Sequence, residues 1–216
     1  MTLLDFARGP AMQWALIIFV AGVSFRLIGI LMFVRKKPLS VPRGNARLAG
    51  YRTIFSRAMP NAVFRKRVGG RYIVGTLWHI GFVFVLFFFQ PHIAFFEGLL
   101  GLSWPGVANS VVMPVAGITL ILLVLAFIHR LNDPVLKVLS DAGDFVTLAI
   151  TALPLLTGLL ASAHVGLRYE TMLALHLLSI SLFLVWIPFS KLMHIVLVVP
   201  SRKRLGAKMG YKGVKA

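Results

Sequence analysis

The chain has 216 residues, 58% hydrophobic and 13% charged, with a mean hydropathy of +0.87 and a formal net charge of +17. Soluble domains carry about 25% charged residues, so this composition excludes an ordinary globular enzyme and predicts an all-α polytopic membrane protein. The chain has no cysteine, which excludes disulfides, iron–sulfur clusters, thioether-linked cofactors and thiolate metal sites of its own.

Five apolar runs, at about residues 12–34, 72–95, 110–129, 143–162 and 171–199, are each long enough to cross an apolar layer about 30 Å thick. They predict one transmembrane domain over 1–216, with no internal repeat. The first run is too long for a signal-peptide core, and no small-residue cleavage site follows it. Between the first two runs, residues 35–71 hold eleven Lys or Arg and no Asp or Glu. Pro38, Pro42 and Gly44 make the first part of this segment irregular. From Asn45 to Arg67 it mixes Leu48, Tyr51, Ile54, Phe55 and Phe64 with basic residues, a pattern open to two readings: a helix lying in the headgroup plane, or a solvated loop. His129 and Arg130 suit the C-terminal end of the third span, and Asp141 and Asp144 the N-terminal end of the fourth, through the helix dipole.

Orientation follows from the loops. The 35–71 segment, Arg130 and Lys137 in the third loop, and six basic residues after Pro200 put nineteen cations on one side. Arg8 and Arg168 are the two on the other. This asymmetry predicts an outside N-terminus and a cytoplasmic C-terminus in a bacterial-type inner membrane. The basic segments flank spans and face anionic lipid headgroups, so no nucleic-acid partner is expected.

Ionisable side chains within spans are costly and mark functional sites. Here they are Arg26, His79, His92, His176, Lys191 and His194. Counted along their runs, His79 and His194 lie at matching depth near the inner face, and His92 and His176 near the outer face. His176 and His194 are eighteen residues apart, five turns of one ideal helix, and therefore share a face. His79 and His92 are thirteen apart and do not, unless Pro91 bends the helix. Four imidazoles paired in depth suit axial ligation of haem iron. The alternatives are hydrogen-bonded packing and proton relay.

The stretch LALHLLSISLFLVWIPFSKLMHIVLVVPSRK, from Leu173 to Lys203, resembles the last helix of the gamma subunit of membrane-bound respiratory nitrate reductase. WHIGFVFVLFFFQPH, from Trp78, resembles that family's second helix, and the stretch from Arg130 to Leu160 its third loop and fourth helix. The related membrane cytochromes of heterodisulfide-reductase-like complexes share the pattern. The resemblance implies a five-helix cytochrome b with two b haems, exchanging electrons between quinone or quinol and a cytoplasmic iron–sulfur or flavin partner. It assigns His79 and His194 to the inner haem and His176 to the outer one. The family's second histidine on helix two falls ten residues after the first, where this chain has Phe89. His92, past Pro91, or His164 in the outer loop is left to take that role.

Arg26 and Lys191 suit haem propionates and equally suit snorkelling to headgroups. Gln90, His92 and Glu97 gather at the outer end of the second span, where they can accept protons from a quinol or simply form a polar helix end. The rival functions are a haem-free, proton-relaying transporter component and a cofactor-free membrane anchor.

Overall fold

Within an apolar layer every backbone N–H and C=O must be satisfied by the chain itself, which favours helix wherever the runs are long enough. The protein is described by a computed structural model over residues 1–32, 40–60 and 62–214. Residues 33–34 of the expected first span, the basic residues 35–37, Pro38 and Lys215 lie outside the described residues. In chain order the helices are α1 (Leu3–Phe6), which continues through a wide turn at Ala7–Ala11 into α2 (Met12–Met32), α3 (Ala46–Ser56), α4 (Ala62–Phe88), α5 (Gln90–Leu100), α6 (Asn109–Asn132), α7 (Pro134–Leu139), α8 (Ala142–Ala163), α9 (Tyr169–Trp186) and α10 (His194–Tyr211). The described residues contain no strand beyond an isolated bridge between Phe89 and Val107.

Five helical stretches are long and apolar enough to cross a membrane: Leu3–Met32, Val63–Phe88, Asn109–Asn132, Ala142–Ala163 and Tyr169–Phe189. The expected number of spans therefore holds, and the protein is an all-helical, multi-pass membrane protein. Large apolar side chains stand exposed along these stretches, Phe25 at 77% and Leu31 at 76% for example. That is the surface lipid covers.

Four boundaries differ from the sequence expectation: the second span begins at Val63 instead of 72, and each of the other three differences has a local reason. The first stretch begins nine residues early because Thr2 and Asp5 close a reciprocal cap over α1. The second span was expected to run to residue 95 but ends at Phe88. Pro91 has no N–H to give the Phe87 carbonyl four residues back. The Trp104 indole donates to that carbonyl instead, at 2.6 Å, and the Val107 N–H donates to Phe88 at 2.9 Å. Phe89 is extended, and α5 starts afresh with Pro91 in its first turn. The fifth span was expected to run to residue 199, but α9 ends at Trp186. Pro188 removes the next donor, two tight turns follow at Ile187–Phe189 and Lys191–Met193, and Ser190 between them is extended. His176 and His194 thus lie on separate helices, and the five-turn argument for a shared face does not apply.

The chain forms two compact units. The first comprises Met1–Ile18 and Gly70–Trp186. Its apolar centre is Val85, Val112 and Ala116, with Phe84, Phe89 and Leu159 packed around it. Small residues let helices approach: a Cβ on Gly81 would collide with the Thr119 hydroxyl. Asp141 caps α8 in a reciprocal box with Asp144, and Arg130 bridges to Ser140 (2.8 Å) and Asp144 (3.5 Å). The acids and cations at these helix ends stand as the sequence placed them.

At the end of α6, Asp133 caps α7 by accepting the N–H groups of Val135 and Leu136, and pairs with Arg71 of α4 at 3.0 Å. The Leu136 N–H first, then the Arg71 charge and the Val135 N–H, hold its carboxyl below the ordinary 3.8, against a smaller opposing effect of burial. A depressed folded-state pKa contributes stability above the unfolded value, and that stability is lost as pH falls through the folded value. Thermal melts of the purified protein should therefore fall on acidification below about pH 4. Asp133→Asn should melt lower at neutral pH and lose part of this acid-induced decline. An unchanged acid profile in the variant would rule out the linkage.

The second unit comprises Phe19–Gly69 and Ile187–Ala216. Its main feature is the docking of α3 against α10, built on small residues. Gly50 of α3 lies over the Lys203 carbonyl, while Gly206 and Gly210 of α10 face Thr53 and Ala49. Thr53 is buried, and its hydroxyl donates to Ala49 at 2.7 Å. Arg202 donates to the Ile54 carbonyl (3.2 Å), the Arg43 N–H to Tyr211 (2.9 Å), and the Tyr211 hydroxyl to Ser40. The 45–67 segment is thus one turn-limited helix, α3, followed by a break and the start of α4. Residues after Pro200, expected to be a basic tail, continue α10 to Tyr211.

Candidate functional site

An imidazole binds a metal through one nitrogen and is oriented by a hydrogen bond at the other. Both histidines expected near the outer face lie in the first unit, and the structure brings them together. His92 sits on α5, re-aimed by the break at Phe89. His176 sits on α9. Their ring centres are 6.2 Å apart and their planes are within 16° of parallel. That separation exceeds ring-on-ring contact.

The tautomers follow from the partners. The Nδ1 of His92 lies 3.0 Å from the Val85 carbonyl, which can only accept, so Nδ1 carries the proton. The Nδ1 of His176 lies 3.2 Å from the Thr157 hydroxyl. That hydroxyl gives its single proton to Leu153 at 2.7 Å, so it accepts from His176. In both neutral rings Nε2 is then the lone-pair nitrogen. Ser179 lies 3.0 Å from Thr157, and its hydroxyl donates to the His176 carbonyl at 2.7 Å. Phe89 meets the His92 ring edge-on at 5.1 Å.

Gly158 completes the cradle. A Cβ there would lie 2.9 Å from Cε1 of His176, so only glycine lets α8 and the imidazole approach this closely. Sequence reading missed Thr157, Gly158 and Ser179. Their sole local signal is a Thr-Gly pair one turn beyond Pro154, in a span where small residues are common.

His79 lies elsewhere in the first unit, exposed on α4. Its Nδ1 donates to the Gly75 carbonyl at 2.6 Å and its ring stacks on Trp78, centres 3.6 Å apart. It borders a groove of about 370 Å³ whose other walls are Ile80, Val83, Phe84 and Phe88. His194, in the second unit, opens α10 and donates from Nδ1 to the Lys191 carbonyl at 2.9 Å. Both histidines therefore show the same tautomer as the outer pair. Arg26 is exposed on α2 in the second unit, and Lys191 is exposed in the tight turn before α10. His164 takes a left-handed conformation (φ 55°) at the end of α8, with Nδ1 at 3.1 Å from the Ser162 carbonyl and its ring stacked on Tyr169.

Where α4 meets α5, Phe87, Phe96 and Trp104 form an aromatic cluster with ring centres 5.7–6.2 Å apart. Such rings favour the membrane–water boundary. The Ser103 hydroxyl donates to exposed Glu97 at 3.2 Å, and Gln90 packs against Gly106. Among the described residues no group of three or more His, Asp or Glu is arranged to hold a bare metal ion. The chemistry the histidines offer is paired, two-point ligation.

A protein of Nitratidesulfovibrio vulgaris (strain Hildenborough) that carries no functional description is 37% identical to this chain over 136 residues. The matched region covers 63% of this chain and 60% of the relative, so the chain spans less than two thirds of the relative's length. No protein-family profile and no solved structure matches.

Proposed function

We propose that this chain is the haem-b membrane subunit of a respiratory oxidoreductase complex, moving electrons between membrane quinone or quinol and a cytoplasmic iron–sulfur or flavin partner. The observation that carries the reading is the facing pair His92 and His176, each with its proton directed away at Nδ1. Their ring centres lie 6.2 Å apart with planes within 16° of parallel, farther apart than rings in direct contact. The donor set, neutral imidazole oriented by a carbonyl or hydroxyl, is the one haem iron takes. The cradle at Gly158 keeps one ligand ring where a larger residue would displace it. The residues present therefore fit the group.

On this reading His92 and His176 hold the outer haem. His79 of the first unit and His194 of the second, each with Nδ1–H on a backbone carbonyl, are each offered as a ligand histidine on the resemblance to the nitrate reductase gamma family. Bound iron would supply reversible one-electron transfer. The chain's own residues do the rest. Thr157 and the Val85 carbonyl keep Nδ1–H occupied and raise the basicity of Nε2. Quinol oxidation releases protons with its electrons, and exposed Glu97, near the outer aromatic cluster, is placed to receive them. Arg26 and Lys191 are offered to propionates on the inner side. The basic asymmetry supports a cytoplasmic location for that side and an outside N-terminus, and gives it a surface suited to an acidic partner.

Colour tests the reading. The purified full-length chain should show reduced b-type bands, and its pyridine haemochrome should give two haems per chain. A protein that stays colourless after expression with ample haem supply and after reconstitution with haem would overturn it and favour the haem-free proton relay or anchor.

A further inference from the structure

The second unit carries a charge imbalance that its own residues cannot relieve. Phe19–Gly69 and Ile187–Ala216 contain eighteen Lys or Arg and no Asp or Glu; all six acidic residues belong to the first unit. Beside α10 lies a groove of about 460 Å³ whose lining is mainly apolar. Ile30, Leu197, Pro200 and Ala207 line it, and Ser201, Lys203 and Arg204 of α10 border it with a hydroxyl and two cationic side chains.

One of these cations is already held in place. The Lys203 ammonium donates to the Tyr51 hydroxyl at 3.1 Å and sits 4.3 Å from the centre of that ring. Docking of α3 on α10 supplies Tyr51, so the ordering of a long side chain is largely complete before a ligand arrives. Arg204 is exposed beside it and presents a planar fork of donors suited to phosphate. On α3 the apolar side chains Leu48 (65% exposed) and Phe55 (78%) point away from α10. The helix pair therefore offers lipid both an apolar edge and a cationic one.

We propose that this groove is a binding site for one anionic phospholipid, its phosphate on Arg204 and Lys203 and its acyl chain along Ile30, Leu197 and Pro200. An inorganic anion would satisfy the charge and leave the apolar wall uncovered. A zwitterionic lipid would cover the wall and bring its own cation to a unit without carboxylates. The anionic phospholipid meets both demands. The site does not depend on the redox reading and exists whether or not the protein binds haem.

The test is a titration of the full-length protein in neutral detergent with phosphatidylglycerol, phosphatidylcholine or inorganic phosphate, read by melting temperature and by lipid retained in native mass spectrometry. Phosphatidylglycerol should raise the melting temperature and remain bound as one molecule, with the other two having little effect. Arg204→Gln should weaken phosphatidylglycerol binding about fivefold, the effect of one cation at a membrane surface. Lys66→Gln, which removes the same charge on α4, should leave it unchanged. Leu197→Ala should weaken the lipid and leave any phosphate binding unaltered. Equal responses to both lipids, full replacement by inorganic phosphate, or equal losses from Arg204→Gln and Lys66→Gln would each overturn the site, the last by showing diffuse attraction instead.

Discussion

His176→Leu is expected to cost the protein one haem. Pyridine haemochrome of the purified variant should fall by one haem per chain relative to the parent, and His92→Leu should match it, because either change leaves a single imidazole where two stand with ring centres 6.2 Å apart. Two neighbouring variants separate ligation from general damage. Gly158→Val puts branched atoms where a Cβ alone would lie 2.9 Å from the His176 ring. It should reproduce the loss without touching a ligand. Thr157→Val keeps the volume but removes the acceptor of the Nδ1–H. It should retain haem with a raised midpoint potential, since a less basic imidazole stabilises the oxidised iron less. Far-ultraviolet dichroism should be the same in all four proteins. If His176→Leu keeps its full haem complement, the outer pair is not a ligand pair and the proposed function loses its main support.

The second large effect is on stability. Gly206 faces Thr53, and a Cβ there would also lie 2.5 Å from the backbone oxygen of Ala49. A backbone atom cannot rotate aside, so Gly206→Leu must push α3 off α10. Overpacking of this kind costs about 1–3 kcal/mol, and here it also breaks the bonds from Arg202 to Ile54 and Lys203 to Tyr51. Limited trypsin digestion should then cut at Arg47, Arg52 and Arg57 at least ten times faster than in the parent, about the factor that 1.4 kcal/mol of opening free energy gives. Gly29→Ala on α2, where a Cβ meets nothing within 4 Å, should leave the digestion rate unchanged. Equal rates in Gly206→Leu and the parent would mean that the α3–α10 contact contributes little.

The stability prediction bears on function because the same helix pair positions Tyr51 beneath Lys203. Loss of that pair should remove the anionic lipid site along with the protease resistance, while the His92–His176 pair, wholly within the first unit, keeps its geometry. The two predictions therefore fail independently.

Hydropathy alone determined where the chain can cross a membrane, because the cost of burying backbone and side chains in lipid depends on the local run of residues and on nothing distant. The same holds for the Asp141 cap on α8, whose partners lie three residues apart, and for the bend that Pro91 imposes by withholding an N–H from Phe87. What the tertiary structure decided is direction. Trp104, seventeen residues away, satisfies the Phe87 carbonyl and so lets α5 turn His92 toward His176. Pro188 was present in the sequence, yet the tight turns after it placed His194 on a helix of its own and undid the shared face that an unbroken helix would have given. Which face an imidazole presents, and which hydroxyl or carbonyl takes its proton, depends on contacts between helices far apart in sequence, and no local pattern encodes those.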